Sequence, residues 1–494
     1  MNVKKLTLLL VLIQVILSIT SFGRPAAPIS KISWPTHVQD FPVLSADRTG
    51  QVWMAVIERP IPRRFIGVYR IDGNTPEEIC TLEPSGLTGI GPPSIAGTDN
   101  GCIVAFAAEQ NDKWRIGYSF IEASSSDTPV CKYIDCEGNA NLSPSIVVVG
   151  NRTYIAWESN AGDTRSVCAA WVEADRAGPI QRISDPEANS YNPSIAATEN
   201  GKIYVAWDCF FDKQANIYVA QYHDGKWQRG QQLTADPRIE RHPSLATYGN
   251  QVWMAWQAQS YDGISINSLR EQRVVVARVD NGNLLAPKGM SEDVLNYEGL
   301  LMRPEIIFDP EGRLWLTARE SLGRLEGWRP LVWCFSGEEC SGPQSLYEDQ
   351  GRWRPVTIAW SEAGGLAAVQ TDNLPIRWNQ QGIWPDWRSG IALLTLPRDL
   401  APIAASLETE ALKMPATEFS LANKMDLVST FLPRQQVNHS NQILTLFWGD
   451  LHAHTDISVC NRATNPPGHD LFANRRDIER LDFTALTDHQ LMRR

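Results

Sequence analysis

Pro193-Ser194-Ile195-Ala196-Ala197-Thr198-Glu199-Asn200-Gly201-Lys202-Ile203-Tyr204-Val205-Ala206-Trp207 is the stretch on which the fold turns. A proline opens an apolar run, Asn200-Gly201 supplies a tight turn, and a second apolar run closes on Ala206-Trp207. Two alternating runs joined by Asn-Gly predict an antiparallel hairpin. The same frame stands upstream as Pro144-Ser145-Ile146, Gly150-Asn151 and Tyr154-Ile155-Ala156-Trp157. Before that it reads Pro93-Ser94-Ile95, Asn100-Gly101 and Ile103-Val104-Ala105-Phe106. Downstream it reads Pro243-Ser244-Leu245, Gly249-Asn250 and Trp253-Met254-Ala255-Trp256. Looser copies begin at Pro42, Pro304 and Pro355, with one longer interval between Pro243 and Pro304.

Each copy carries a third strand, such as Ile217-Tyr218-Val219-Ala220, then a turn and a short fourth strand. Four strands in about fifty residues, repeated, predict the blades of a β-propeller. One blade cannot bury both faces, so copies must stack around an axis. The expectation is a mainly β protein of seven blades, give or take one, over residues 38–397. The alanine of each Ala-aromatic pair suits a crowded inner strand, and the aromatic suits the gap between blades.

The chain has 494 residues, which predicts more than one domain. A net charge of -11 argues against a nucleic-acid partner, because phosphate binding needs a basic face. Lys4, Lys5, the apolar run Leu6 to Ile19 and the small residues Ser21 and Gly23 predict an export signal over 1–23. The protein is therefore expected to be secreted or periplasmic, without a stable membrane anchor. The nine cysteines include no CxxC pair, and buried free thiols are the expectation for most of them.

Ser45-Ala46-Asp47-Arg48-Thr49-Gly50-Gln51-Val52-Trp53 resembles the Asp-box turn of sialidase-like propellers, with one residue extra. The whole repeat region resembles a sialidase/BNR-like or TolB-like propeller. A sialidase-type site would need arginines that grip a carboxylate. Arg241, Arg303 and Arg354 stand one or two residues ahead of blade prolines, which offers them a shared face. They are candidate substrate-binding residues for a glycan or another small molecule.

The strand pattern fades after Leu396-Pro397. Residues 398–440 read as a linker with short helices around Leu407 to Met414 and Phe419 to Phe431. From 441 the character changes again. Ile443 to Trp448 is a continuous apolar run, expected to be one strand buried on both faces. It ends in Asp450-Leu451-His452-Ala453-His454-Thr455. A helix is expected from Asp470 to Leu481, then a strand Phe483-Thr484-Ala485-Leu486 ending in Thr487-Asp488-His489. His452 and His454 fall on one side of an extended chain, where two imidazoles can share an ion. Asp450 and Asp488 are candidate orienting carboxylates behind such ligands.

These two segments resemble motifs I and II of the PHP (polymerase and histidinol phosphatase) domain, in its exported DUF3604-like branch. The resemblance covers about the last fifty residues. It implies the start of a distorted (β/α)₇ barrel over 441–494, with zinc, manganese or iron held by His452, His454 and His489. Cys460 falls where many members carry His or Asp, and thiolate also binds zinc. The later motifs do not occur before Arg494, so the barrel is expected to be incomplete in this chain. The leading expectation is an exported metal-dependent hydrolase of phosphoesters with a recognition propeller. The alternatives are a non-catalytic propeller that binds glycan or protein, and a sialidase-like glycoside hydrolase.

Overall fold

The computed structural model describes residues 28–32, 38–59 and 64–487, apart from 73–74, 85, 124–128, 163, 174–175, 265–268, 281, 323–327, 348–354, 373–388, 405, 432–434, 441 and 454–467. The expected export signal lies outside the described residues.

Seven antiparallel sheets of four or five strands form the propeller. The quoted stretch is the inner hairpin of the fourth blade, with Asn189–Ala197 paired to Ile203–Phe211 and Ile195 opposite Val205. The other blades repeat it, from Val38–Ala46 in the first to Thr357–Ser361 in the seventh. The chain closes its own ring. Thr357–Ser361, Gly364–Asp372 and Ser389–Thr395 supply three strands of blade seven, and Pro28–Ile32 pairs with Ser389–Thr395 as the fourth. The propeller thus starts ten residues before the 38 that periodicity indicated (38 − 28). A single outermost strand far from its partners in sequence leaves no repeat to detect.

The Ala-aromatic pairs sit where crowding demanded them. Ala105, Ala156, Ala206 and Ala255 are all fully buried. Trp157 packs among residues of blades two and three, and Trp207 among those of blades three and four. The long interval before Pro304 is filled by two long strands, Gln251–Tyr261 and Leu269–Asp280, and a one-turn helix α1 (Met290–Asp293). The eight cysteines among the described residues are free.

The linker is partly absorbed into the propeller. Thr409–Ala411 adds a fifth strand to blade five by pairing with Asn283–Pro287. Helix α2 (Leu421–Phe431) follows, with Leu421 and Met425 buried against blades four and five. The C-terminal segment holds a strand–helix–strand unit: Gly449–Ala453, helix α3 (Gly468–Asp477) and Phe483–Leu486, whose strands pair in parallel. The expected single strand over Ile443 to Trp448 is not formed. Gln442–Thr445 instead makes a hairpin with Gln436–His439, and the run is exposed, with Ile443 67% and Phe447 57% accessible. Ser440, with a φ of 50°, sets a tight turn that folds the run back on Gln436–His439, and Ile478, just past the end of α3, packs against the propeller. Among the described residues no helix is long and apolar enough to cross a membrane.

Candidate functional site

The site begins with the blade prolines. Proline lacks an N–H, so it cannot continue the ladder and is accommodated at a bulge. Register shifts occur at this point in blades one, three, four, five and six. The residue before each proline has positive φ: Phe41, Ser143, Asn192, His242 and Arg303, all between 51° and 54° except His242 at 55°. The bulge gathers these residues where the inner strands begin, at one mouth of the propeller.

Four of the bulges are latched across a blade boundary. The backbone N–H of Asn192 donates to Glu158 Oε1 at 2.9 Å, and that of His242 to Asp208 Oδ1 at 3.1 Å. The N–H of Arg303 donates to Gln257 Oε1 at 3.2 Å, and that of Phe41 to Gln370 Oε1 at 3.3 Å, joining blade seven to blade one. All four acceptors are buried. They follow the Ala-aromatic pair, or its equivalent, by one residue. The serines of the Pro-Ser pairs form a second set of latches: Ser145, Ser194 and Ser244 accept from the N–H groups of Ile195, Leu245 and Ile306. The recurring polar residues of the repeat are therefore structural.

Blades five and six use the bulge to build a carboxylate socket. Arg241 and His242 come from the inner strand of blade five and Arg303 from that of blade six. Two of the three sequence-selected arginines are thereby brought together, and Arg354 lies outside the described residues. Arg303 Nη1 donates to His242 Nδ1 at 2.9 Å. The ring proton then sits on Nε2, which is 2.9 Å from both carboxylate oxygens of Asp470. Arg303 Nη2 and Arg241 Nη1 stand 3.7 and 3.9 Å from Asp470 Oδ1. Asp470, in the first turn of α3, is buried.

The electrostatics follow from burial. Burial, reinforced by the Arg303 cation, lowers His242 to about 4, so the ring is a neutral donor at neutral pH. Burial alone would raise Asp470, but His242, Arg303 and Arg241 outweigh it and hold the carboxyl well below the usual range. Beneath the socket, burial raises Asp208 to about 7. Helix α3 makes a second polar contact through Asp477, which accepts from Asn189 Nδ2 at 2.9 Å and from the Tyr191 hydroxyl at 2.7 Å. Ile478 joins Ala215, Ile239, Tyr261, Phe419, Leu421 and Met425 in an apolar cluster. Sequence reading missed Asp470 and Asp477 as site residues. Acidic residues in a short amphipathic helix carry no signal of a distant partner.

Of the expected metal residues, Asp450 and His452 are described, while His454, Cys460, Asp488 and His489 lie outside the described residues. Asp450 and His452 sit on the strand Gly449–Ala453. Asp450 Oδ1 accepts from the His452 N–H at 2.8 Å, and Oδ2 accepts from Arg475 Nη2 at 2.9 Å. The carboxylate thus holds the backbone of His452 and the Arg475 side chain, and the His452 side chain is exposed.

The opposite mouth carries the Asp-box-like turns. Asp47 Oδ1 accepts from the N–H groups of Thr49 and Gln51, and Oδ2 from Trp53 Nε1 at 2.9 Å. A second such turn stands in blade six, where Asp309 holds Arg313 and Trp315 Nε1. Spacing alone revealed only the first. Beside the second turn lies an open groove of about 960 Å³, lined by Glu311, Trp360, Glu362 and Arg398 among others.

No family model and no curated protein matches the chain. Among solved structures it is similar to an α-L-arabinanase of Penicillium chrysogenum complexed with arabinobiose, at 11% identity over 75% of this chain and 96% of that one, with a TM-score of 0.41. It is similar to the sialidase of Trypanosoma rangeli at 8% identity over 67% and 57% of the two chains, with a TM-score of 0.44. A polysaccharide lyase, an ulvan lyase, is similar at 10% identity over 78% and 100%, with a TM-score of 0.48. Each is a likeness of fold. The architecture is a seven-bladed β-propeller carrying a small C-terminal α/β unit.

Proposed function

We propose that this chain is a non-catalytic recognition propeller whose ligand is a saccharide bearing a carboxylate. One observation carries the reading: Arg241, His242 and Arg303, from two adjacent blades, converge on a single carboxylate at the mouth of the propeller. Guanidinium groups match carboxylates in charge and planar geometry. The amide of Asn189 and the phenol of Tyr191, which bond Asp477 of the same helix, are further partners for hydroxyl groups. The test is calorimetric titration of the full chain with tri-galacturonate and with neutral galactotriose. Binding of the acidic sugar only, lost in Arg303→Ala and in Arg241→Ala, is the expected result. Equal binding of both sugars, or acid binding unaffected by either substitution, refutes the reading.

The parallel strand–helix–strand unit favours a second reading, in which residues 441–494 open a metal-dependent hydrolase domain. His452, His454 and His489, with Cys460, would hold zinc, manganese or iron, and Asp450 and Asp488 would orient those ligands. A bound ion of this kind supplies an activated water for hydrolysis of a phosphoester. Metal content after dialysis against buffered zinc tests it: His452→Ala should lower the zinc retained per chain, and unchanged retention counts against this role.

A further inference from the structure

We infer that helix α3 is a displaceable plug, a resident carboxylate ligand that occupies the propeller's recognition site in cis. This rests on the carboxylate-binding reading above and adds its regulation. Asp470 fills the socket with both carboxylate oxygens 2.9 Å from His242 Nε2, while the two arginines stand farther off. Its contacts to Arg303 and Arg241 are 3.7 and 3.9 Å, whereas paired guanidinium–carboxylate hydrogen bonds close to about 2.7–2.9 Å. A ligand carboxylate free of a helix backbone can approach more closely and take both guanidinium groups. The helix holds on through other exchangeable groups. Asp477 bonds Asn189 and Tyr191, and Asn474 Nδ2 reaches the Ile264 carbonyl at 3.4 Å. Arg476 lies over the Tyr191 ring at 5.4 Å. Ile478 adds an apolar anchor at the far end, and Leu471 and Ala473 of the helix are also buried. Polar contacts of this kind are the ones a polyhydroxylated acid can replace one for one.

Two carboxylates thus stand where an acidic oligosaccharide would place its own, one beside the arginines and one beside Asn189 and Tyr191. Ligand and helix compete for the same donors, and occupancy of the mouth is coupled to the position of the C-terminal unit. Strong ligand releases α3, and removal of either α3 carboxylate exposes the site.

The experiment compares the full chain, Asp470→Ala and Asp477→Asn, each checked for native circular dichroism. Tri-galacturonate affinity is measured by calorimetry, and amide exchange over residues 468–477 is followed with and without the sugar. The expected result is at least about tenfold tighter binding by both variants, with faster exchange of α3 in the wild-type chain once the sugar is added. Equal affinity in all three, with α3 exchange unchanged by ligand, overturns the plug while leaving the carboxylate site in place. Absence of binding in all three overturns the recognition reading and the plug with it.

Discussion

Asp208 joins the two halves of the recognition face, and its replacement gives a sharp test of how that face is built. Its Oδ1 accepts from Asn192 Nδ2 at 2.8 Å and from the His242 N–H at 3.1 Å, and the side chain is buried. Asp208→Ala leaves two donors without an acceptor. At about 1–3 kcal/mol for each unsatisfied buried group, the loss is about 2–6 kcal/mol. Asp208→Asn keeps one carbonyl oxygen and removes the charge. Burial raises Asp208 to about 7 from an unfolded value near 3.9. The folded state therefore binds the proton more tightly, and the stability it contributes is lost as pH rises through that window, by up to about 4 kcal/mol. His242 acts in the opposite sense. Its lowered value, about 4, makes stability fall as pH drops below about 6.5, but this contribution is common to the wild type and the asparagine variant. Urea denaturation followed by tryptophan fluorescence, at about pH 5.5 and pH 8, reads the difference. At the lower pH the asparagine variant should already be the more stable by about 2 kcal/mol, and at the higher pH by about 4 kcal/mol. An alanine variant within about 0.5 kcal/mol of wild type at both values would show that the latch carries no load and would refute the reasoning.

Asp309→Ala removes the acceptor for Arg313 and for the Trp315 indole, so unfolding should occur at a lower temperature, with a loss of about 2–4 kcal/mol by calorimetry. Gly230→Ala would put a Cβ 2.3 Å from the buried Trp207 ring, and a cost of about 1–3 kcal/mol should appear as a lower urea midpoint. Burial raises Glu305 to about 7, so wild-type stability has a component that is lost as pH rises from about 4.3 to 7. Glu305→Gln should flatten that part of the stability–pH curve, and an unchanged slope would show that Glu305 is not the group responsible.

The fold was legible because it is repetitive. Pro193-Ser194-Ile195 and Ala206-Trp207 restate one local rule, a proline-led inner strand and a crowded second strand, and each repeat obeys it within its own fifty or so residues. A blade is built from contacts close in sequence, so period, turn chemistry and apolar alternation are enough to find it. The strand–helix–strand order of the C-terminal segment was legible too, but its first strand is Gly449–Ala453 and not the expected Ile443 to Trp448. What the sequence did not state were the meetings of distant segments. Pro28–Ile32 closes the ring against Ser389–Thr395, and Asp470 reaches Arg241, His242 and Arg303 across more than 160 positions. Three arginines ahead of prolines read as a possible shared face. Only the ring geometry, with its bulges turning each pre-proline residue to the same mouth, put two of them within reach of one carboxylate. That carboxylate belongs to the chain itself, because burial of Ile478 beside blades four and five fixes where α3 lies, and such packing is written in no local pattern.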